Sequence, residues 1–309
     1  MNLLGRSLLT LHDLSPDELT GLLDLAAVVK RQRRSGERHR RFAGLALAML
    51  YEKPSTRTRS AFATAFGEEG GFPVVMNRDE LQLGAKESIE DTARVFGRMY
   101  DAIQYRGYAQ ETVETLARYA GIPVYNGLTD TRHPTQVLAD LLTIREHYGA
   151  LDGVSLAYVG DARNNVATSL MVGCAMAGVG CTLVAPSELQ PAPELVAACR
   201  NGAGASLTVS ADLDAVGGAD VVYTDVWASM GEEDREAERL RLLAGYQVND
   251  ALMGRAADTA IFMHDLPAVK GNEVTHGVFE SSRSMVWEQA ENRKHTAKAL
   301  MLATLVGEE

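Results

Sequence analysis

The chain has 309 residues, of which 46 % are hydrophobic and 23 % charged, and its formal net charge is −11. These values describe an ordinary globular protein with room for one large or two medium domains; they exclude wholesale disorder, a collagen-like fibre and a small disulfide scaffold. The acidic balance argues against general nucleic-acid binding, which needs a broad basic patch, but leaves room for a small basic pocket around an anionic metabolite.

Three cysteines, Cys174, Cys181 and Cys199, show no C-x-x-C spacing, which fits a reducing cytoplasm better than a secreted framework. No apolar leader opens the chain, and no window approaches 18 consecutive apolar residues. The expectation is a soluble cytoplasmic protein with no membrane and no nucleic-acid partner.

Ser15-Pro16 reads as an N-cap followed by proline at the first helical position, and predicts a helix toward Arg34. Residues 44–51 (GLALAMLY) predict a buried strand, and a helix follows from Arg57. Strands are predicted at 72–76, 102–105 and 123–126, with helices at 87–99 and 111–119 and another starting near Pro134. A second series begins at Val154: VSLAYVG, CTLVAP, ADVVYTD and TAIFMHDL each read as a strand ending at polar residues, with helical stretches between them. The last amphipathic segment spans 285–304. This alternation predicts an α/β protein of two doubly wound domains with central parallel sheets. The first would cover residues 1–145 with the C-terminal helix, 286–309, returning to it; the second would cover 146–285. Ligands are expected at the carboxyl ends of the strands.

Several polar clusters fall at such ends. In YEKPSTRTRS, residues Ser55, Thr56, Arg57 and Thr58 would form the turn and first helical turn after a strand, where backbone N–H groups, hydroxyls and guanidinium groups suit a phosphate. The bland alternative is a capped helix with solvated arginines. Arg106 ends a strand in IQYRG, and His133 and Gln136 stand near a helix start in DTRHPTQ. Together they could polarise a carbonyl oxygen and hold the charge that develops on it, although a lone histidine there is more often a cap. YVGDARNN lacks the G-x-G-x-x-G fingerprint of dinucleotide binding, so its Asn164 and Asn165 are read as carboxylate donors or as a turn and cap. Asp225, Ser229 and Met230 lie in TDVWASMGEE, and Asp265 and Leu266 in FMHDLP. Arg293 lies on the terminal helix, where a surface salt bridge to Glu291 is the simpler reading.

In this order and spacing, the S-T-R-T-R, H-P-T-Q, D-x-R-N-N, D-V-W-x-S-M-G and E-N-R-x-H-T segments resemble the aspartate/ornithine carbamoyltransferase family over essentially the whole chain, and its ornithine branch in particular. The resemblance implies a carbamoyl phosphate-binding first domain and an amino-acid-binding second domain. It implies that Ser55, Thr56, Arg57 and Thr58 bind the phosphate of carbamoyl phosphate. Arg106, His133 and Gln136 would hold its carbonyl and amide ends, with Arg293 assisting and Leu266 close by. Gln82 matches a loop position that reaches a neighbouring subunit's site. Asn165, Asp225, Ser229 and Met230 match the residues that bind the amino acid's α-carboxylate and α-amine. The family forms a trimer, so a homotrimer with shared sites is implied. The implied reaction is attack by a neutral side-chain amine on carbamoyl phosphate, through a tetrahedral oxyanion, with no metal, nucleotide or other cofactor required. L-Ornithine giving L-citrulline is the first expectation.

One position departs from that pattern. Where ornithine enzymes carry H-C-L-P, this chain has His264-Asp265-Leu266-Pro267. A carboxylate there would attract an ammonium group and hold it in the charged form that cannot attack, unless Asp265 itself takes the proton as a catalytic base. A changed acceptor, such as 2,3-diaminopropionate, lysine or putrescine, is the corresponding alternative. A non-catalytic relative and a nicotinamide-dependent oxidoreductase are the readings from other classes; the intact phosphate cluster counts against the first and the missing glycine fingerprint against the second.

Overall fold

The short apolar runs and the amphipathic stretches become strands and helices in a computed structural model, which describes residues 1–81, 87–202, 205–228 and 236–307. They form two α/β units: Met1–Leu142 with Glu291–Glu309, and Thr143–Ala290.

The first unit contains α1 (Pro16–Ser35), β1 (Ala46–Tyr51), α2 (Arg57–Glu68), β2 (Phe72–Asn77), α3 (Ile89–Met99), β3 (Ala102–Arg106), α4 (Gln110–Ala120) and β4 (Val124–Leu128). Helix α5 (Pro134–Tyr148) leads out of it. The strand order is β2-β1-β3-β4, with every pairing parallel. An unbroken apolar run such as ALAMLY suits a strand covered on both faces, and Leu47 to Leu50 are wholly buried. Because β2 and β3 flank β1 on opposite sides, the chain reverses its direction of travel across the sheet between β1 and β3. The carboxyl ends of these two strands therefore border the crevice in which open α/β sheets bind ligands.

Local chemistry sets the helix ends. Ser15 and Glu18 form a reciprocal capping box at the start of α1, and Gly36 closes that helix at φ 87°, a left-handed conformation open to glycine. Helices α3 and α4 touch through their backbones: a Cβ on Gly97 would collide with the Ala120 carbonyl oxygen.

The last helix, α11 (Val286–Leu305), starts in the second unit and ends in the first. From Glu291 onward it is anchored in the first unit by Lys30 donating to Asn292 at 2.6 Å, by Tyr125 and Thr304 sharing a hydrogen bond of 2.6 Å, and by Lys298 and Lys294 on Glu68 at 3.0 and 3.1 Å. Burial pushes the Glu68 carboxyl up, but the hydrogen bonds from these lysines and Arg33 win and hold it down at about 2.

The second unit contains β5 (Ser155–Val159), α6 (Asn165–Ala177), β6 (Gly180–Val184), α7 (Pro193–Gly202), β7 (Leu207–Ser210), β8 (Val221–Thr224), α8 (Glu236–Leu243), α9 (Asp250–Met253), β9 (Ile261–His264) and α10 (His276–Phe279). The order β7-β6-β5-β8-β9 is again parallel throughout, and its reversal lies between β5 and β8. Ala157, Val159, Val222, Phe262 and Phe279 contribute to its core. Strand β7 is missing from the sequence-based expectation: four residues at a sheet edge, none fully buried, leave too weak a periodic signal. Among the described residues, no helix is long and apolar enough to cross a membrane.

Candidate active site

Each sheet reversal collects one set of the polar residues singled out in the sequence. In the first unit, Ser55 to Thr58 follow β1, and Arg106 is the last residue of β3. The Ser55 hydroxyl accepts the Thr58 N–H at 3.1 Å, whereas Thr56, at the N-cap position, makes no side-chain cap. Helix α2 is thus capped by Ser55, and the neighbouring Thr56 is exposed.

The buried Thr58 hydroxyl receives two guanidinium groups: Arg293 Nη2 at 2.7 Å and Arg106 Nη1 at 3.3 Å. Arg293, on α11, is therefore not the surface residue that its sequence context suggests; it is 5 % exposed. His133 is buried beside the same group. Burial, and then the charges of Arg293, Arg106 and Arg57, hold its imidazole well below the usual histidine range. It is neutral at pH 7 and can donate a hydrogen bond without adding a fourth positive charge. Gln136, in the first turn of α5, is fully buried and donates to Asp140 at 2.8 Å. In a chain of net charge −11, a local set of three arginines around a neutral histidine is an anion-binding arrangement.

Tyr51, which sequence reasoning passes over, belongs to this group. It ends β1, its charge environment includes Arg106, Arg59 and Arg293, and its buried hydroxyl has no hydrogen-bond partner among the described residues. Burial outweighs those cations and pushes its phenol up, so it stays protonated and able to donate. Its place as the last residue of a buried strand was the available signal.

In the second unit, Asn164 follows β5, Asp225 follows β8, and Asp265 follows β9. Asn164 caps α6 by accepting the Ala167 N–H at 2.7 Å, and its Nδ2 donates to Tyr158 Oη at 2.7 Å and to Asp225 Oδ2 at 3.0 Å. Asn164 thus touches Asp225, and its neighbour Asn165 is the first residue of α6 and half-buried. Asp225 Oδ1 accepts the Val226 N–H at 2.7 Å. Burial, then the adjacent Asp265 carboxyl, pushes the Asp225 carboxyl well above the usual carboxylate range.

One side-chain atom each from Asp225, His264 and Asp265 lies within 4.8 Å of the other two. Both ring nitrogens of His264 are engaged: Nδ1 accepts the Leu266 N–H at 2.9 Å, and Nε2 faces Glu273 Oε1 at 3.3 Å. That leaves the imidazole no free lone pair for a metal, so the cluster suits a proton or an ammonium group better. Leu266 has a left-handed φ of 62°, and the Leu266–Pro267 peptide bond is cis. Gln82, Ser229 and Met230 lie outside the described residues.

Comparison with known proteins places both units. The family model for the aspartate/ornithine carbamoyltransferase carbamoyl-P binding domain matches residues 6–146, and the model for the family's Asp/Orn binding domain matches residues 152–304. The chain is 58 % identical to the ornithine carbamoyltransferase of Pseudothermotoga lettingae and 57 % identical to that of Thermotoga maritima, over 99 % of each chain. The solved structure of ornithine carbamoyltransferase from Pyrococcus furiosus is similar over 100 % of both chains, with a TM-score of 0.96 and 43 % sequence identity. Two matched domains covering nearly all 309 residues, on a fold shared throughout with a solved relative, mean that the chain belongs to the aspartate/ornithine carbamoyltransferase family.

Proposed function

We propose that the protein transfers the carbamoyl group of carbamoyl phosphate to the side-chain amine of an α-amino acid, foremost L-ornithine, giving L-citrulline and phosphate. The observation that carries this reading is the buried set of Arg106, Arg293 and neutral His133 around Thr58, of which Thr58, Arg106 and His133 lie in the residues matched by the family's carbamoyl-P binding domain. Relatives that are 57–58 % identical and named ornithine carbamoyltransferase support the acceptor.

In this reading Ser55, Thr56, Arg57 and Thr58 receive the phosphate at the start of α2. Arg106, His133 and Gln136 hold the carbonyl and amide ends of the carbamoyl group, with Arg293 assisting, Leu266 nearby, and Gln82 supplied by a neighbouring subunit. The neutral amine attacks the carbonyl carbon, a tetrahedral oxyanion forms, and the bond to the phosphate oxygen breaks. Arg57, Arg106 and the His133 N–H stabilise the charge on the oxyanion and the leaving group. Asn165, Asp225, Ser229 and Met230 bind the α-carboxylate and α-amine of the acceptor. No cofactor enters these steps.

The working form is a homotrimer in the cytoplasm. Phe72 on edge strand β2 and Met99 at the end of α3, each 68 % exposed in the single chain, supply apolar surface for the subunit contact. A solution mass of one chain, 33.4 kDa, in place of about three would refute the trimer.

The test is a steady-state panel with carbamoyl phosphate and ornithine, lysine, 2,3-diaminopropionate or putrescine. Ornithine is expected to dominate. Preference for putrescine would overturn an α-amino acid as acceptor, and no carbamoylated product with any amine would overturn the transferase reading.

A further inference from the structure

Tyr51, at the carboxyl end of β1, carries a polar group that the fold itself leaves unpaired. The residue is 2 % exposed, and its Oη has no hydrogen-bond partner among the described residues. A buried hydroxyl without a partner costs free energy that a phenylalanine ring in the same place would not. Such a group calls for a partner from outside the chain.

The sheet register fixes where the side chain points. Tyr51 is paired with Arg106 on β3 and with Asn77 on β2, so the three residues stand in one row at the ends of their strands. Register partners in a parallel sheet share a face, and successive residues along a strand alternate between faces. Leu50 and Tyr105, one position earlier, pack with Ala93 of α3 and Leu116 of α4 on the other face. Tyr51 and Arg106 therefore both face α2, where Arg106 meets the Thr58 hydroxyl. Arg59, the next residue on α2, lies over the Tyr51 ring at 5.1 Å and donates to Asn77 Oδ1. This anchored cation–π contact holds the ring in place. The hydroxyl lies in the field of Arg106, Arg59 and Arg293, and none of them donates to it.

Resting on the carbamoyl phosphate reading above, we propose that Tyr51 is a further anion-binding residue, whose hydroxyl donates a hydrogen bond to an oxygen of the bound phosphate group. Arg106 and Arg293 converge on Thr58, in the first turn of α2, so an anion drawn to them comes to the end of β1 as well. A phenol suits this place for the same reason as the neutral His133. It adds a donor among guanidinium groups that already repel one another, and it adds no further charge. Its ring is packed before the anion arrives, so binding immobilises little that is not already fixed.

The experiment compares the wild type with Tyr51→Phe, which deletes the hydroxyl and keeps the ring under Arg59. The dissociation constant for inorganic phosphate comes from the rise of melting temperature with its concentration, and the KM for carbamoyl phosphate from steady-state kinetics. Both are expected to increase by about 10-fold or more, the effect of losing one hydrogen bond to a charged group. Without ligand, Tyr51→Phe should melt at or above the wild-type temperature, because an unpaired buried donor has been removed. A purely structural hydroxyl would do the reverse: the variant would melt lower and bind phosphate as before, and the proposal would be overturned. A higher KM for carbamoyl phosphate with unchanged phosphate binding would move the hydroxyl to the carbamoyl end and overturn it too. Tyrosine absorption separates direct contact from an effect passed through the arginines. The wild type minus Tyr51→Phe difference spectrum should shift to longer wavelength on adding phosphate, as a phenol's does when it donates to an anion; no shift overturns the contact. Failure of the transferase reading looks different: the wild type would make no citrulline, while the phosphate comparison would still decide the role of Tyr51.

Discussion

Arg293 Nη2 donates to the Thr58 hydroxyl at 2.7 Å, joining residues 235 positions apart, and Arg106 reaches the same oxygen at 3.3 Å. One buried hydroxyl thus holds guanidinium groups from the last helix and from strand β3 over the start of α2. The Ser55 cap fixes Thr58 in turn, since it accepts the Thr58 N–H. The arginines are preorganised before any anion arrives, which is how such sites avoid reorganisation during reaction.

Thr58→Val keeps the side-chain shape and deletes that shared acceptor. The KM for carbamoyl phosphate is expected to rise by about 10- to 100-fold, because two donors lose their common tether. Stability should fall by about 1.5–3 kcal/mol, the usual contribution of a hydrogen bond to a charged group. Steady-state kinetics and urea unfolding measure the two effects; an unchanged KM would show that the tether does not position the arginines.

Arg57 is the first residue of α2 and half-buried. Its charge reaches His133 but it is not part of either unit's apolar core. Arg57→Ala is expected to lower kcat/KM by about two to three orders of magnitude while the melting temperature changes little. Near-normal turnover in this variant would remove Arg57 from the site.

Acid should weaken the fold through its buried histidines. Burial brings the His295 imidazole down to about 4, despite the opposing hydrogen bond it donates to Glu291. In the unfolded chain a histidine titrates near 6.5. Between those values the unfolded state binds the proton and the native state does not. The stability is therefore fully present above about pH 6.5 and is lost as pH falls toward 4, at up to about 1.4 kcal/mol per pH unit for one group. His133, also held low by burial, acts in the same direction. His295→Gln should flatten the fall in unfolding free energy over this range, as measured by urea titrations at several pH values. A slope identical to the wild type would mean that His295 is not the group responsible.

Much of the fold was legible because its signals are local. The Ser15-Pro16 start, the apolar run of β1 and the placement of most polar clusters after a strand follow from backbone capping and burial over a few residues. Strand β7 was not, being short and half-exposed. In the site, Ser55 to Thr58, Arg106 and His133 stand out as residue types suited to an anion, but the burial of Arg293 and the engagement of Asn164 with Asp225 do not. A helix-borne arginine beside glutamates reads as a solvated ion pair until something distant covers it.

The amino-acid sequence by itself determined the alternation of strands and helices, the two parallel-sheet units and the chemical types gathered at the strand ends, since all of these follow from periodicity and capping within one element. The tertiary structure alone decided which strands are neighbours. The orders β2-β1-β3-β4 and β7-β6-β5-β8-β9 put the chain reversals after β1 and β5. They bring Thr58 to Arg106 and Asn164 to Asp225, with Asp265 arriving from the next strand. Sheet order is a property of long-range packing, and the approach of two acids 40 positions apart depends on a distance that no local pattern encodes.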